Sequence, residues 1–159
     1  MADTDRIIKK LTQARRQLLE AVEGLTEEQM AWSTDQAWSI REIVHHVGIG
    51  EQANVELAER ALAGQPVSMD DFDMDTWNIE QVAQRADRPA SEALQALHQI
   101  REKTLETLHG LSAEKLAHTL EHPGWGEMTV EQLFRALGVH DLMHRRDILK
   151  RIEQFEADS

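Results

Sequence analysis

Three times along this chain a hydroxyl residue stands three positions ahead of Glu or Gln, just where an apolar repeat of helical period begins. Thr26 pairs with Gln29, Ser39 with Glu42, and Thr129 with Gln132. That spacing is a capping box. The hydroxyl accepts from the backbone N–H three residues on, and the longer side chain reaches back to the cap residue's own N–H. No stretch alternates apolar and polar residues as a half-buried strand does, so the chain is predicted to be all-α.

Four long helices are expected. The first runs from about Asp3 to Glu23, with Ile7, Leu11, Ala14, Leu18 and Val22 on its inner face. The second starts at Ser39 and continues to about Ala63, where Gly64 and Pro66 stop it. The third starts near Pro89, a residue favoured in a first turn, and runs to about His109. The fourth follows Thr129 and runs to about Phe155. A shorter helix is expected over 76–85, behind the acidic connection "GQPVSMDDFDMDTW". "GLTEEQMAW" at 24–32 echoes "GLSAEKLAH" at 110–118, each directly after a long helix. The chain therefore reads as two helical hairpins joined by the 64–88 segment. Four long helices with one long crossover point to a four-helix bundle, a single domain over 1–159.

Composition narrows the chemistry. The chain has no cysteine, which excludes disulfides, thiolate ligands and a cysteine nucleophile. His and carboxylates are left as the strong metal ligands. A net charge of −12 disfavours contact with phosphate backbones, so no nucleic-acid partner is expected. The first residues carry charge and no apolar leader, and no run approaches the roughly 18 apolar residues of a membrane span. A soluble, cytoplasmic protein with no membrane partner is the expectation. The four tryptophans fall near helix ends or in connections, as plugs of the bundle or as walls of a pocket. Trp38 and Trp125 are the candidates for the latter.

Eight histidines are many for this length. Two pairs lie four apart, where chance supplies roughly 0.4 pairs. His118 and His122 precede Pro123, which pushes His122 out of helical geometry, so that pair is expected in a connection. His140 and His144 differ. Leu133, Leu137, His140, His144 and Ile148 step by 4, 3, 4 and 4 along one helical stripe, which turns both imidazoles toward the bundle. Residues four apart bring two imidazoles close enough to meet one ion. The other reading is a pair of core histidines satisfied by side chains or water. A third ligand is available in "WSIREIVHHVGIGE". His46 follows the apolar Ile43 by three and leans inward, while His45 falls on a more polar side and is expected to be exposed. Gly48 and Gly50 thin the helix beyond His46 and leave room for a ligand. Three imidazoles with an open position describe a catalytic or ligand-binding metal site better than a closed structural one.

"WSIREIVHHV", with a histidine eight residues after the tryptophan, and "HDLMHRRDI" in the last helix resemble the DinB-like family over nearly the whole chain. These are four-helix-bundle proteins regarded as metalloenzymes, and they include bacillithiol and mycothiol S-transferases and a mycothiol-dependent maleylpyruvate isomerase. The resemblance implies an up-down-down-up bundle with the long crossover between the second and third long helices. It implies His46, His140 and His144 as ligands of a divalent ion (nickel, zinc, iron or manganese), and often a homodimer. The activity it implies is metal-dependent small-molecule chemistry, foremost thiol S-transfer to an electrophile, with a low-molecular-weight thiol as partner. A metal-dependent hydrolase and a non-catalytic stress-response or binding protein are the alternatives. Glu42, Asp141 and Asp147 are candidates for orienting a ligand or moving a proton, against plain roles as a helix cap and surface acids.

Overall fold

The computed structural model describes residues 3–34, 36–67 and 71–159. In chain order they form α1 (Asp3–Val22), α2 (Glu27–Ala31), α3 (Ile40–Leu62), α4 (Met74–Ala83), α5 (Ala90–His109) and α6 (Ala113–Leu116). A hairpin of β1 (Thr119–His122) and β2 (Gly126–Thr129) then leads into α7 (Val130–Asp158). All three capping boxes form, with both reciprocal hydrogen bonds present at Thr26, Ser39 and Thr129. Pro89 is the N-cap of α5 rather than a first-turn residue, and no side chain caps that end. The two echoing segments fold alike: Thr26 caps α2, and Ser112 caps α6.

The strand pair corrects an expectation of no β structure. Thr119 pairs with Thr129 and His122 with Gly126, in antiparallel register. Each strand has only four residues, too few for alternation to stand out. The helix expected over 76–85 begins two residues earlier, because the Asp73 carboxylate accepts from the Thr76 N–H and caps it. Residues 68–70 of the acidic connection lie outside the described residues.

The four long helices are α1, α3, α5 and α7. Leu11 lies against Gly138 and Arg15 against Asp141, so α1 and α7 run parallel. Gly48 faces Leu97, and Glu51 faces Arg101 and Thr104, so α3 and α5 are parallel too. The order is up-down-down-up, and the 63–89 crossover carries α4 between the two parallel central helices. At Gly138 an added Cβ would come within 3.3 Å of Leu11 Cδ2, so a glycine lets α1 and α7 approach closely.

The core is divided across its length. One apolar cluster gathers Ile7, Leu11, Val55, Leu108, Leu133 and Phe134. The other gathers Leu18, Ile40, Val44, Val47, Leu97 and Ile148. Between them lies a layer of charge with one residue from each long helix: Arg15, Glu51, Arg101 and Asp141. Arg15 binds both oxygens of Asp141, at 3.2 and 3.1 Å, and Glu51 at 2.8 Å. Arg101 binds Glu51 Oε1 at 2.6 Å and Asp141 Oδ2 at 2.8 Å. Nη1 of Arg15 donates to the Leu97 carbonyl and Nη1 of Arg101 to that of Leu11, and the Thr104 hydroxyl donates to Glu51 at 2.7 Å. Burial alone raises the Glu51 carboxyl pKa, but the hydrogen bonds and charges of Arg101 and then Arg15 outweigh it and hold the group below its ordinary value.

The hairpin and the last helix meet at Thr129, which ends β2 and caps α7. Thr129→Ala removes the cap while leaving the strand backbone in place. A loss of about 1 kcal/mol is expected in urea unfolding of the metal-free protein.

Candidate metal centre

His46 lies on the second turn of α3, and His140 and His144 lie mid-way along α7. α3 and α7 run antiparallel, so the three imidazoles meet. Nε2 of His46 lies 3.2 Å from Nε2 of His140, and Nε2 of His144 lies 3.1 Å from the same atom. One ligand atom from each of the three falls within 4.8 Å of the others. Nitrogens held roughly 2.0–2.1 Å from one ion at tetrahedral or octahedral angles are about 2.8–3.4 Å apart, so these two separations fit one ion.

The protonation pattern fits as well. His144 Nδ1 lies 3.0 Å from the Asp147 carboxylate, which only accepts, so the ring proton sits on Nδ1. Nε2 then carries a bare lone pair facing the other two rings. Burial, followed by the charge of His144, lowers the His46 pKa to about 4. Burial, followed by the charges of His144, His46 and Arg15, lowers that of His140 to about 3. Burial also lowers His144, against the opposing pull of Asp147. All three rings are therefore neutral near pH 7, the state that binds metal.

These shifts set a pH dependence for the metal-free protein. In the unfolded chain His46 and His140 titrate near 6.5, and in the fold they titrate at about 4 and about 3. Between those values the unfolded chain binds more protons, so stability is complete above pH 6.5 and is lost as pH falls toward 4. A loss on the order of a few kcal/mol is expected across that window, read as a falling melting temperature. His46→Gln should flatten the slope between pH 6.5 and 5.

The histidines do not occupy the centre of the bundle, as the stripe through Leu137 and Ile148 had suggested. That position belongs to Asp141, four residues after Leu137 and seven before Ile148. His140 and His144 sit to one side, facing a cavity of about 630 Å³ between α3, α7, α4 and the hairpin. Gly50 lines this cavity, and a Cβ there would lie 3.5 Å from the His140 ring, so its absence leaves room as expected. Gly48 instead packs on Leu97 of α5.

The other expected residues scatter. Asp141 is 1% exposed and bound to two arginines, so it is neither a surface acid nor a partner of an imidazole. Glu42 is held in the Ser39 capping box. Asp147 is the acid that reaches a histidine of the cluster. His45 is buried, not exposed, because the Arg85–Arg88 turn after α4 lies over it, and burial lowers its pKa. Trp38 packs on His46 with ring centroids 4.8 Å apart, and it lines a second cavity of about 400 Å³ on the far side of His144. Trp125 lines the large cavity and stacks on His122, with centroids 4.2 Å apart and planes 10° from parallel. His122, expected in a connection, ends β1 and reaches the same cavity wall.

The sequence model of the DinB superfamily matches residues 10–148 of this chain. A protein of Oceanobacillus iheyensis named "Putative metal-dependent hydrolase" is 23% identical over 138 residues, covering 86% of this chain and 78% of its own length. YfiT from Bacillus subtilis, described as "a probable metal-dependent hydrolase with an unusual four-helix bundle topology", superposes with a TM-score of 0.70 at 20% identity, covering 98% of this chain and 86% of that one. The colibactin self-resistance protein ClbS, solved with double-stranded DNA, superposes with a TM-score of 0.74 at 10% identity, covering 92% and 94%. That neighbour runs against the nucleic-acid expectation drawn from charge, although at such identity the likeness is one of fold. No helix among the described residues is long and apolar enough to cross a membrane.

Proposed function

The chain belongs to the DinB superfamily, and from that premise we propose that it is a metal-dependent enzyme of small-molecule chemistry, with His46, His140 and His144 holding a divalent ion. The observation that carries this reading is the convergence of three Nε2 atoms at the head of a large cavity. Three imidazoles suit several first-row ions, so the donor set alone does not choose among nickel, zinc, iron and manganese. A bound ion supplies a Lewis acid that lowers the pKa of a thiol or a water presented to it. Asp147 holds His144 in the ligating tautomer, and Trp38 backs the ring of His46. Asp147→Asn should weaken binding of the ion about 10- to 100-fold by titration calorimetry.

Within that class, S-transfer is the reading we favour, on the two cavities that flank His144. The large one is mostly apolar and suits an electrophile. The smaller one has Gln36, Asp147 and Arg151 in its wall and suits a polar thiol. In such a transfer the thiol gives up its proton, its sulfur forms a bond to the electrophilic carbon, and the leaving group departs with the carbon's former bonding pair. Hydrolysis, with water in place of the thiol, is the second reading, favoured by the names of the relatives. Each metal-loaded form is to be assayed against a panel of aryl halides and esters, with and without low-molecular-weight thiols. Turnover that requires thiol supports transfer, and turnover of esters without thiol assigns hydrolysis. A protein that retains no ion at one per chain overturns the metal reading.

A further inference from the structure

We propose that the large cavity takes a substrate with a planar aryl body, seated between the aromatic residues of the crossover and Trp125 of the hairpin, with its polar reacting group at the histidine triad. This rests on the reading of the triad as the reacting centre. It adds the substrate class, which neither the family nor its named relatives assign to this chain.

The wall opposite the triad looks polar in sequence and is not polar in effect. His122 is buried, and both of its ring nitrogens are engaged. Nδ1 accepts from the backbone N–H groups of Gly124 and Trp125, at 3.0 and 3.1 Å. The proton therefore sits on Nε2, which donates to Asn54 Oδ1 at 2.8 Å. Asn54 in turn donates to the Gly50 carbonyl at 2.8 Å. A fourth histidine beside the cavity thus has no free nitrogen to act as acid, base or ligand. It serves as a flat support for the Trp125 ring.

Glu56, Arg60 and Asn78 apart, the rest of the wall is mostly apolar and suits a flat apolar body. Phe72 and Trp77 stand 6.2 Å apart between ring centroids, where the crossover covers the cavity. Trp125 is 43% exposed although it lines the same space, so one large aromatic face is left open. Met74 and Met143 add adaptable apolar surface. At the tip of the hairpin, a Cβ on Gly124 would lie 2.5 Å from Met74 Sδ. Hairpin and crossover therefore touch, and the two aromatic groups close over one space. The volume is that of a site for a drug-sized ligand.

The test separates the body of the ligand from its metal-binding head. Acetohydroxamate and 2-naphthohydroxamate share a head and differ in the body. The metal-loaded protein should bind the naphthyl compound at least about tenfold more tightly. Trp125→Ala and Trp77→Ala should each narrow that gap, and Trp32→Phe, whose ring packs on Phe155 away from the cavity, should not. In the metal-free protein, 2-naphthamide should shift the indole N–H resonances of Trp77 and Trp125 and leave that of Trp32 in place. Equal affinity for the two hydroxamates overturns the proposal, as does a gap that survives both cavity substitutions. If no ion is retained, the metal reading fails alone. The naphthamide titration then decides, and unmoved Trp77 and Trp125 resonances overturn the aryl site.

Discussion

His140→Ala weakens binding of a divalent ion by at least about a hundredfold and abolishes metal-dependent turnover. The effect is expected to be the largest of the three histidines because Nε2 of His140 is the atom both others approach, at 3.2 and 3.1 Å. Removing it leaves two nitrogens on different helices with nothing between them. The substitution should cost the metal-free fold little at neutral pH. The lost ring faces a cavity, so neighbouring groups need not collapse around a void, and a ring that must stay neutral is gone. Its pKa of about 3 is a burden on the fold in acid, so His140→Ala should hold its melting temperature better than the parent between pH 6.5 and 4. Titration calorimetry with each ion reads the first effect, and melting curves of chelated protein read the second. Unchanged affinity in the variant would remove the triad from consideration as a metal site.

Glu51→Ala destabilises the metal-free protein by about 3–5 kcal/mol, the usual result of removing one partner from a buried ion network. Glu51 is 2% exposed and accepts from Arg15, Arg101 and Thr104. Without it two guanidinium groups share one carboxylate, Asp141, between two apolar clusters. In a domain of this size the loss corresponds to a fall of roughly 8–15 °C in melting temperature. The double substitution Glu51→Met with Arg101→Met removes one charge of each sign and leaves the Arg15–Asp141 pair with both of its bonds. It should be less damaging than Glu51→Ala alone. A double variant as unstable as the two single losses added together would show that the network acts through packing rather than charge balance.

Much of the fold was legible because helix starts are written in local chemistry. The three capping boxes needed only residues three apart, and all three formed. The hairpin was not legible, since strands of four residues around Pro123 and Gly124 present no period. Apolar spacing set His46 on one helix and His140 and His144 on another. Their meeting depended on the antiparallel course of α3 and α7, which spacing does not contain. His45 was misplaced because its cover comes from the Arg85–Arg88 turn, distant in sequence. The charged layer did leave a trace. Arg15 follows Leu11 by four, Glu51 follows Val47, Arg101 follows Leu97, and Asp141 follows Leu137. Each charge stands where its helix repeats an apolar position. Two of each sign at such positions, one on each long helix, signal a buried network. Read helix by helix they pass for polar edges.

The span of that network also orders events in time. Arg101 meets Glu51 across 50 residues of chain, while Arg15 meets Asp141 across 126. On a ribosome the first helix waits for its carboxylate until a further 126 residues have been made. Until α7 emerges, α1, α3 and α5 carry two arginines against one glutamate, with the groove that α7 will fill open along its length. Completion of the network therefore waits for α7, and a nascent chain halted before Asp141 presents an open groove to a chaperone or a protease.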